Sequence, residues 1–379
     1  MVEIISAEEA ASRIPDGVTV AASGFTIMGV AEEIYKAVEA RFLAAGHPRG
    51  LTLVHSAGQS DRVRGMPHWA NEGLLDRIIG SHWGLAPKMA EFIAADKVAA
   101  YCLPQGQIVH LYRALAGGKP GMVSPIGLDT FVDPRLEGGK INASARRLGD
   151  VVEVIRLDGE AFLWYKPLRL DVGILRGTTA DVDGNVSCEE EAVSLELLSI
   201  AQAVKQCGGT VYVQVKRTVA RATLEPKRVV VPGILVDAVV VAKELEENHR
   251  QTSGSVFSQA YISASRESVA PPAPIALDER KVIGRRAAME LRPGAIVNLG
   301  TGIPGDAVGP VAAEEGLLSR LKLTIESGTI GGVPAGGVDF GLALHPEAII
   351  EHGYQFDFYN GGGVDVAYMG CLLYTSPSP

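Results

Sequence analysis

Cysteine is scarce in this chain and poorly placed for chemistry. The four present, Cys102, Cys188, Cys207 and Cys371, form no CxxC pair, and their spacing suggests neither a metal cage nor a disulfide framework. No apolar run is long enough to span a bilayer, and the opening MVEIISAEEAAS lacks the basic region and apolar stretch of an export signal. Positive charge is in deficit too: the net charge of −9 argues against a nucleic-acid groove or an anionic membrane surface as partner. A reduced, cytoplasmic protein acting on small molecules is expected, with no metal, nucleic-acid or membrane partner.

What the chain does have is length and apolar content. At 379 residues and 47% hydrophobic it can bury two cores, so two domains are expected. Ser6 with Glu9 makes a capping box, GVTVAASG (17–24) alternates toward a glycine turn, AEEIYKAVEARFLAAG (31–46) has helical periodicity, and LTLVHS (51–56) reads as a strand. Strand, turn, helix, strand is the unit of an open parallel sheet. RVVVPGILVDAVVVA (228–242) adds strands buried on both faces. The polar, Pro-rich text from about 246 to 279 reads as a linker between a domain at 1–245 and another at 280–370.

The theme returns after the linker. PGAIVNLGTGIPGDAVGPVAAEEGLLSRLKLTIESG (293–328) again runs strand, Gly turn, helix, strand, which suggests an internal duplication. Setting LTLVHS on LTIESG places Val54 opposite Glu326, so an acid occurs in one half only. GTGIPG (300–305) fits GxGxxG, with Glu326 roughly 20 residues further on, where a dinucleotide fold keeps its ribose-binding acid. The rival reading joins the two glycine loops into one site. Backbone N–H groups of GTGIP at a helix start would polarise a carbonyl, and Glu326, partly desolvated, would attack it as a nucleophile. On this reading the loop SGTIGGVPAGG is bare so that a substrate reaches the acid. Ser327 lacks the glycines of GxSxG, so a serine hydrolase is excluded. His345 and His352, with Glu347 and Glu351 nearby, read as a solvated helix face rather than a metal site, since no third ligand of matching spacing accompanies them.

Several motifs in order carry a resemblance: PQG (104–106), GLDTFVDPRLEGGKIN (127–142), VPGILVDAVVVA (231–242), NLGTGIP (298–304), TIESGTIGGVPAGGVDFG (324–341) and GYQFDFYNGGGVDVAYMG (353–370). From about residue 4 to 370 the chain resembles a family I coenzyme A transferase of the short-chain acetate or propionate type. The resemblance implies two tandem open α/β domains and a ping-pong transfer of coenzyme A between an acyl-CoA and a short-chain carboxylate. It makes Glu326 the catalytic residue that forms a glutamyl-CoA thioester. It puts Gly300, Thr301, Gly302, Ile303, Pro304, Ser327 and Gly328 at the coenzyme A site, and Gln105, Gly24 and Phe25 toward the acyl group. It also implies a homo-oligomer with no permanently bound cofactor, coenzyme A being a substrate. The ending CLLYTSPSP (371–379) does not fit the family, so the second domain is expected to be incomplete, and an inactive fragment stands as an alternative beside the NAD-dependent oxidoreductase suggested by GTGIPG.

Overall fold

The hydroxyl of Ser6 accepts the Glu9 N–H and starts α1 (Ala7–Ser12), as the capping box requires. The structure, a computed structural model, describes residues 1–264 and 274–370. The described residues form two compact units. The first is made of Met1–Glu191 and Leu195–Val256; the second takes in Ala192–Ser194 and the described residues from Phe257 onward. Cys371 and the rest of the 371–379 tail lie outside the described residues.

The first unit is built on eight strands: β1 (Glu3–Ile5), β2 (Thr19–Ala22), β3 (Leu51–Val54), β4 (Leu75–Gly80), β5 (Ala99–Cys102), β6 (Val172–Arg176), β7 (Thr210–Val215) and β8 (Ala238–Val241). Their order is β1-β8-β7-β6-β2-β3-β4-β5, and every neighbouring pair is parallel. Helix α2 (Glu32–Ala45) returns the chain from β2 to β3 and ends at Gly46, whose φ of 70° is the left-handed value a glycine adopts at low cost. Beneath α2, Tyr35 stacks on the buried Trp69 with ring centroids 4.7 Å apart. The order of strands reverses between β6 and β2, so a crevice opens beyond their carboxyl ends, where open α/β sheets bind ligands. Of the apolar run 228–242, only β8 joins this buried sheet; Val229–Val231 instead edges a small four-stranded sheet, with Val229 and Val230 half-exposed and Val231 buried.

The second unit has a mixed five-stranded sheet. Strands β9 (Ile296–Leu299), β10 (Lys322–Thr324), β11 (Thr329–Ile330), β12 (Ala348–Ile349) and β13 (Val366–Tyr368) lie in the order β12-β11-β10-β9-β13. Only the β9 pairings, with β10 and β13, are parallel. Its core gathers Ala295, Val297, Leu299, Val308 and Leu323.

The two units repeat one device. Ser23, just past β2, donates its N–H to Ile174 of β6 at 3.1 Å; Gly300, just past β9, donates its N–H to Tyr368 of β13 at 2.8 Å. In each, the glycine turn follows the strand beside which the order reverses. The register then refines the alignment of the halves. With Ser23 on Gly300, the pairs Ala21↔Val54 and Asn298↔Thr324 put Val54 opposite Thr324, and Ser56, not Val54, opposite Glu326. Ser56 is buried and its hydroxyl donates to Glu196.

Residues 246–256, assigned to the linker by their polarity, lie in the first unit, and the reason is physical. They are polar because they complete a buried network, not because they face water. Arg176 donates to Glu191 at 2.6 Å and to the Arg250 carbonyl at 2.9 Å, His249 Nε2 lies 3.1 Å from Glu191, and Gln214 donates to the Asn248 carbonyl at 2.8 Å. Burial opposes ionisation of Glu191, yet Arg176 and His249 outweigh it and hold the carboxyl well below the usual range. Burial, with Arg176 close by, pushes His249 down to about 4.

His55 is likewise pushed down to about 4 by burial, its Nε2 accepting the Trp83 indole N–H at 3.1 Å. Both histidines are neutral when folded, so their contribution to stability is complete above the ordinary value of 6.5. It is lost as pH falls from 6.5 toward 4, where the unfolded chain takes up protons that the folded one refuses. Melting temperature is expected to drop across that window, and His249→Gln to flatten the drop; an unchanged slope in the variant would contradict the assignment.

Candidate active site

Strand β10 does not run into an open loop. It turns back at once. Ile325 donates its N–H to Thr329 at 2.9 Å and Gly328 to Ile325 at 3.0 Å, so 325–328 is a tight turn with Glu326 at its second position. The glycines after the acid have a different purpose from the one expected. Gly328 has φ 107°, and a Cβ there would sit 2.1 Å from the Ile350 carbonyl oxygen. A Cβ on Gly331 would meet the Glu347 side chain at 2.7 Å, and one on Gly332 the Leu344 carbonyl at 2.4 Å. Close packing, by backbone at Gly328 and Gly332 and by the Glu347 side chain at Gly331, rather than an open approach for substrate, removes these side chains. Ser327 is equally committed: its buried hydroxyl donates to the Gly341 carbonyl at 2.6 Å.

The neighbouring loop is the open one. Strands β9 and β10 are parallel with Asn298 opposite Thr324, so GTGIPG and Glu326 leave the same end of the sheet side by side. Gly302, at φ 79°, has nothing within 4 Å of where a Cβ would be. The N–H groups of Thr301 and Gly302 donate to no backbone or side-chain acceptor among the described residues. Pro304–Val308 then winds as a wide π-type turn into α3 (Gly309–Glu314), so Ile303 and Pro304 stand at the mouth of a helix, as expected. Asp306 accepts the Gly337 N–H at 3.1 Å and ties the two glycine loops together.

Helix α4 (His352–Asn360) packs its polar side inward. Tyr354 and Phe358 are 54% and 38% exposed, whereas His352 and Gln355 are fully buried. His352, Gln355 and Tyr359 share one face at helical spacing. Tyr359 donates its hydroxyl to Thr324 at 3.0 Å, and His352 lies against Phe356 with ring centroids 5.3 Å apart. This overturns the solvated face expected for the two histidines. His345 is not helical at all; its N–H bonds the Ala260 carbonyl and its ring the Ser263 carbonyl. Sequence inspection missed Gln355 and Tyr359 as well. The available signal was a short helix carrying a polar stripe at 352, 355 and 359, a pattern that fits a site as well as a surface.

The electrostatics follow from this packing. Burial raises the Glu326 carboxyl above its ordinary range, and its own backbone N–H and nearby His352 offset only part of that. The carboxylate oxygen Oε2 is buried with no hydrogen-bond partner, as are Asn298 Oδ1 at the end of β9 and both amide atoms of Gln355. Unpaired buried polar atoms are costly and rare, and they gather here.

The remaining expected residues belong to the first unit. Gly24 and Phe25 follow β2 at its strand-order reversal. A Cβ on Gly24 would lie 2.6 Å from Val30, and Phe25 is buried with its N–H on the Met28 carbonyl, so this loop is closed on itself. Gln105 opens the helix Gln105–Ala116 just past β5, at the same carboxyl edge of the sheet, and is half-buried. Two residues on, Gln107 is buried with Oε1 unpaired, a feature nothing in the sequence singled out.

A half-buried carboxylate thus stands beside unused peptide N–H groups on an open α/β scaffold. Residues 4–242 match the family described as Coenzyme A transferase. The caffeate CoA-transferase of Acetobacterium woodii is 45% identical over 371 residues, covering 98% of this chain and 70% of that protein. Acetate CoA-transferase YdiF of Escherichia coli K12 is 39% identical over 374 residues, covering 97% and 68%. The crystal structure of acyl-CoA transferase YdiF from E. coli O157:H7 as a thioester complex with CoA superposes with a TM-score of 0.87 at 37% identity, over 97% of this chain and 72% of that one. The chain belongs to the coenzyme A transferase family and is a CoA-transferase, which decides against the dinucleotide reading of GTGIPG. No helix among the described residues is long and apolar enough to cross a membrane.

An ionised Glu326 is therefore a cost to the fold. Because the folded carboxyl holds its proton to higher pH than the unfolded one, stability falls as pH rises above the ordinary glutamate value of ~4.3. Glu326→Gln is expected to stabilise the protein by about 1 kcal/mol at pH 7.5 and not at pH 4. Denaturant titrations at the two pH values check this; equal effects at both would contradict it.

Proposed function

We propose that this protein moves coenzyme A between a short-chain acyl-CoA and a free short-chain carboxylate, with Glu326 as the covalent carrier. The observation that carries this reading is the buried, unpaired Glu326 Oε2 beside a loop whose Thr301 and Gly302 N–H groups are free to meet an oxyanion. A carboxylate stripped of water is a better nucleophile than a solvated one, and aimed peptide N–H groups stabilise the oxygen that becomes charged, each worth ~3 kcal/mol in comparable sites.

The reaction runs in balanced steps. Glu326 attacks the acyl carbonyl and CoA thiolate leaves, giving an acyl-glutamyl anhydride. The thiolate then attacks the glutamyl carbonyl, the first acid leaves, and CoA remains on Glu326 as a thioester. A second carboxylate reverses both steps. The thioester energy is conserved, so the cycle needs no separate energy source. Gly300 to Pro304 would line the coenzyme A side, and Gln105 with the Gly24–Phe25 loop the acyl side. Binding of the distant part of CoA would be used to drive the anhydride step. We further read 1–245, extended by 246–256, and 280–370 as separate domains, and the protein as a cytoplasmic homo-oligomer.

The test is exchange between propionyl-CoA and acetate. Wild type is expected to give parallel double-reciprocal lines, and Glu326→Ala to lose at least ~10³-fold in kcat, comparable to losing an essential transition-state group. Exchange surviving in the variant would overturn the carrier role. Marked preference for caffeate over acetate would overturn the short-chain assignment and leave the carrier role intact.

A further inference from the structure

The polar cluster around Glu326 holds one group that the transfer chemistry above does not use. Gln355 is fully buried on the inward face of α4, and neither its amide nitrogen nor its amide oxygen has a hydrogen-bond partner. A core position gains nothing from such a residue. A buried carboxamide with nothing to bond costs ~1–3 kcal/mol relative to a paired one, and an apolar side chain of the same length would avoid the loss. Unsatisfied groups of this kind persist in native proteins where a function needs them.

Its neighbours show which function. Four residues on, Tyr359 spends its hydroxyl proton on Thr324 at 3.0 Å, and Thr324 in turn donates to the Val297 carbonyl at 3.3 Å. Thr324 is the last residue of β10, two before Glu326. The helix is thus fastened to the strand that carries the acid, while the Gln355 amide approaches the Tyr359 hydroxyl closely enough to favour its ionised form, yet without the geometry of a full hydrogen bond. His352 and Tyr359, on the same helix face, lie close enough to Glu326 to interact with its charge, and its Oε2 is unpaired. A free donor and a free oxygen in one buried cluster indicate a bond that forms only once the carboxylate has changed.

We propose that Gln355 is a positioning residue for the glutamyl carbonyl: its amide N–H bonds the glutamyl oxygen once Glu326 is acylated, and Tyr359 holds α4 in place for that contact. This rests on the carrier role of Glu326. In the step concerned, the CoA sulfur bonds to the glutamyl carbon, the carbon–oxygen bond of the anhydride breaks, and the acid departs with the electron pair. The glutamyl oxygen carries negative charge in passing, and the Gln355 N–H stabilises and orients it. In the free enzyme the amide and the carboxylate oxygen are both unpaired, and the bond forms only as the acylated side chain turns its oxygen toward α4. Binding energy withheld from the ground state and released on reaction is what raises kcat rather than lowering KM.

The experiment compares wild type, Gln355→Met and Tyr359→Phe. Gln355→Met keeps length and removes both unpaired atoms. Formation of the Glu326–CoA thioester is followed by mass spectrometry after rapid mixing with propionyl-CoA, beside steady-state kcat and KM and melting temperature. Gln355→Met is expected to slow thioester formation and kcat by ~10- to 100-fold, with KM for propionyl-CoA within about threefold and melting temperature unchanged or raised. Tyr359→Phe, which removes only the hydroxyl, is expected to slow thioester formation less. A structural role would instead lower melting temperature and leave the kcat of the remaining folded enzyme intact, and that pattern overturns the proposal. Thioester forming at the wild-type rate in Gln355→Met overturns it too, while the carrier role survives. If wild type itself forms no thioester on Glu326, the carrier role fails and takes this inference with it.

Discussion

One oxygen atom sets the terms for the second unit: Glu326 Oε2, buried at the tip of a tight turn with nothing to bond. Every feature around it either creates that predicament or tolerates it. Strand β10 delivers the acid to the carboxyl end of the sheet, and the 325–328 turn stops it there. Gly328 and Gly332 let neighbouring backbone close in on the turn and the loop after it, and Gly331 lets the Glu347 side chain do the same. The inward polar face of α4 completes the enclosure. A solvated carboxylate would be stable and inert; this one is costly and available.

The same plan appears in both units with different contents. Each places a glycine turn where the strand order reverses, and each anchors it by one N–H bond to the returning strand. In the first unit the register position of Glu326 holds Ser56, satisfied by Glu196, and the turn at Gly24 and Phe25 folds in on itself. In the second unit the corresponding turn leaves Thr301 and Gly302 with unused N–H groups. The shared plan thus carries one turn closed on itself and one left open. The first unit also invests in rigidity: the Arg176, Glu191 and His249 network is buried and fully bonded, and Arg176 holds the Val30 carbonyl at 3.1 Å, at the far end of the Gly24 turn.

Much of this was legible in the amino-acid sequence where a local rule decides the outcome. Ser6 caps, Gly46 terminates a helix, and the strand, turn and helix rhythm yields parallel sheets because each of these depends on residues a few positions apart. Glu326 was legible because a lone acid at a strand end beside GTGIPG is unusual. What stayed hidden depends on partners distant in the chain. The polarity of 246–256 reads as exposure until Arg176 and Glu191 are beside it. His352 reads as surface, and Gln355 goes unnoticed, until α4 is seen with its polar stripe inward and Tyr354 outward. The glycines after Glu326 read as room for a ligand until Ile350 and Leu344 occupy that room. Composition reports what a residue tolerates, not which neighbour it meets.

The central claim is that Glu326 takes coenzyme A covalently, and the most direct measurement is the mass of the peptide that contains it after brief exposure of the protein to propionyl-CoA. The account predicts that this peptide alone gains the mass of coenzyme A less one water, and loses it again on addition of acetate. Turnover with the peptide unmodified, or with the adduct on any other residue, would contradict it.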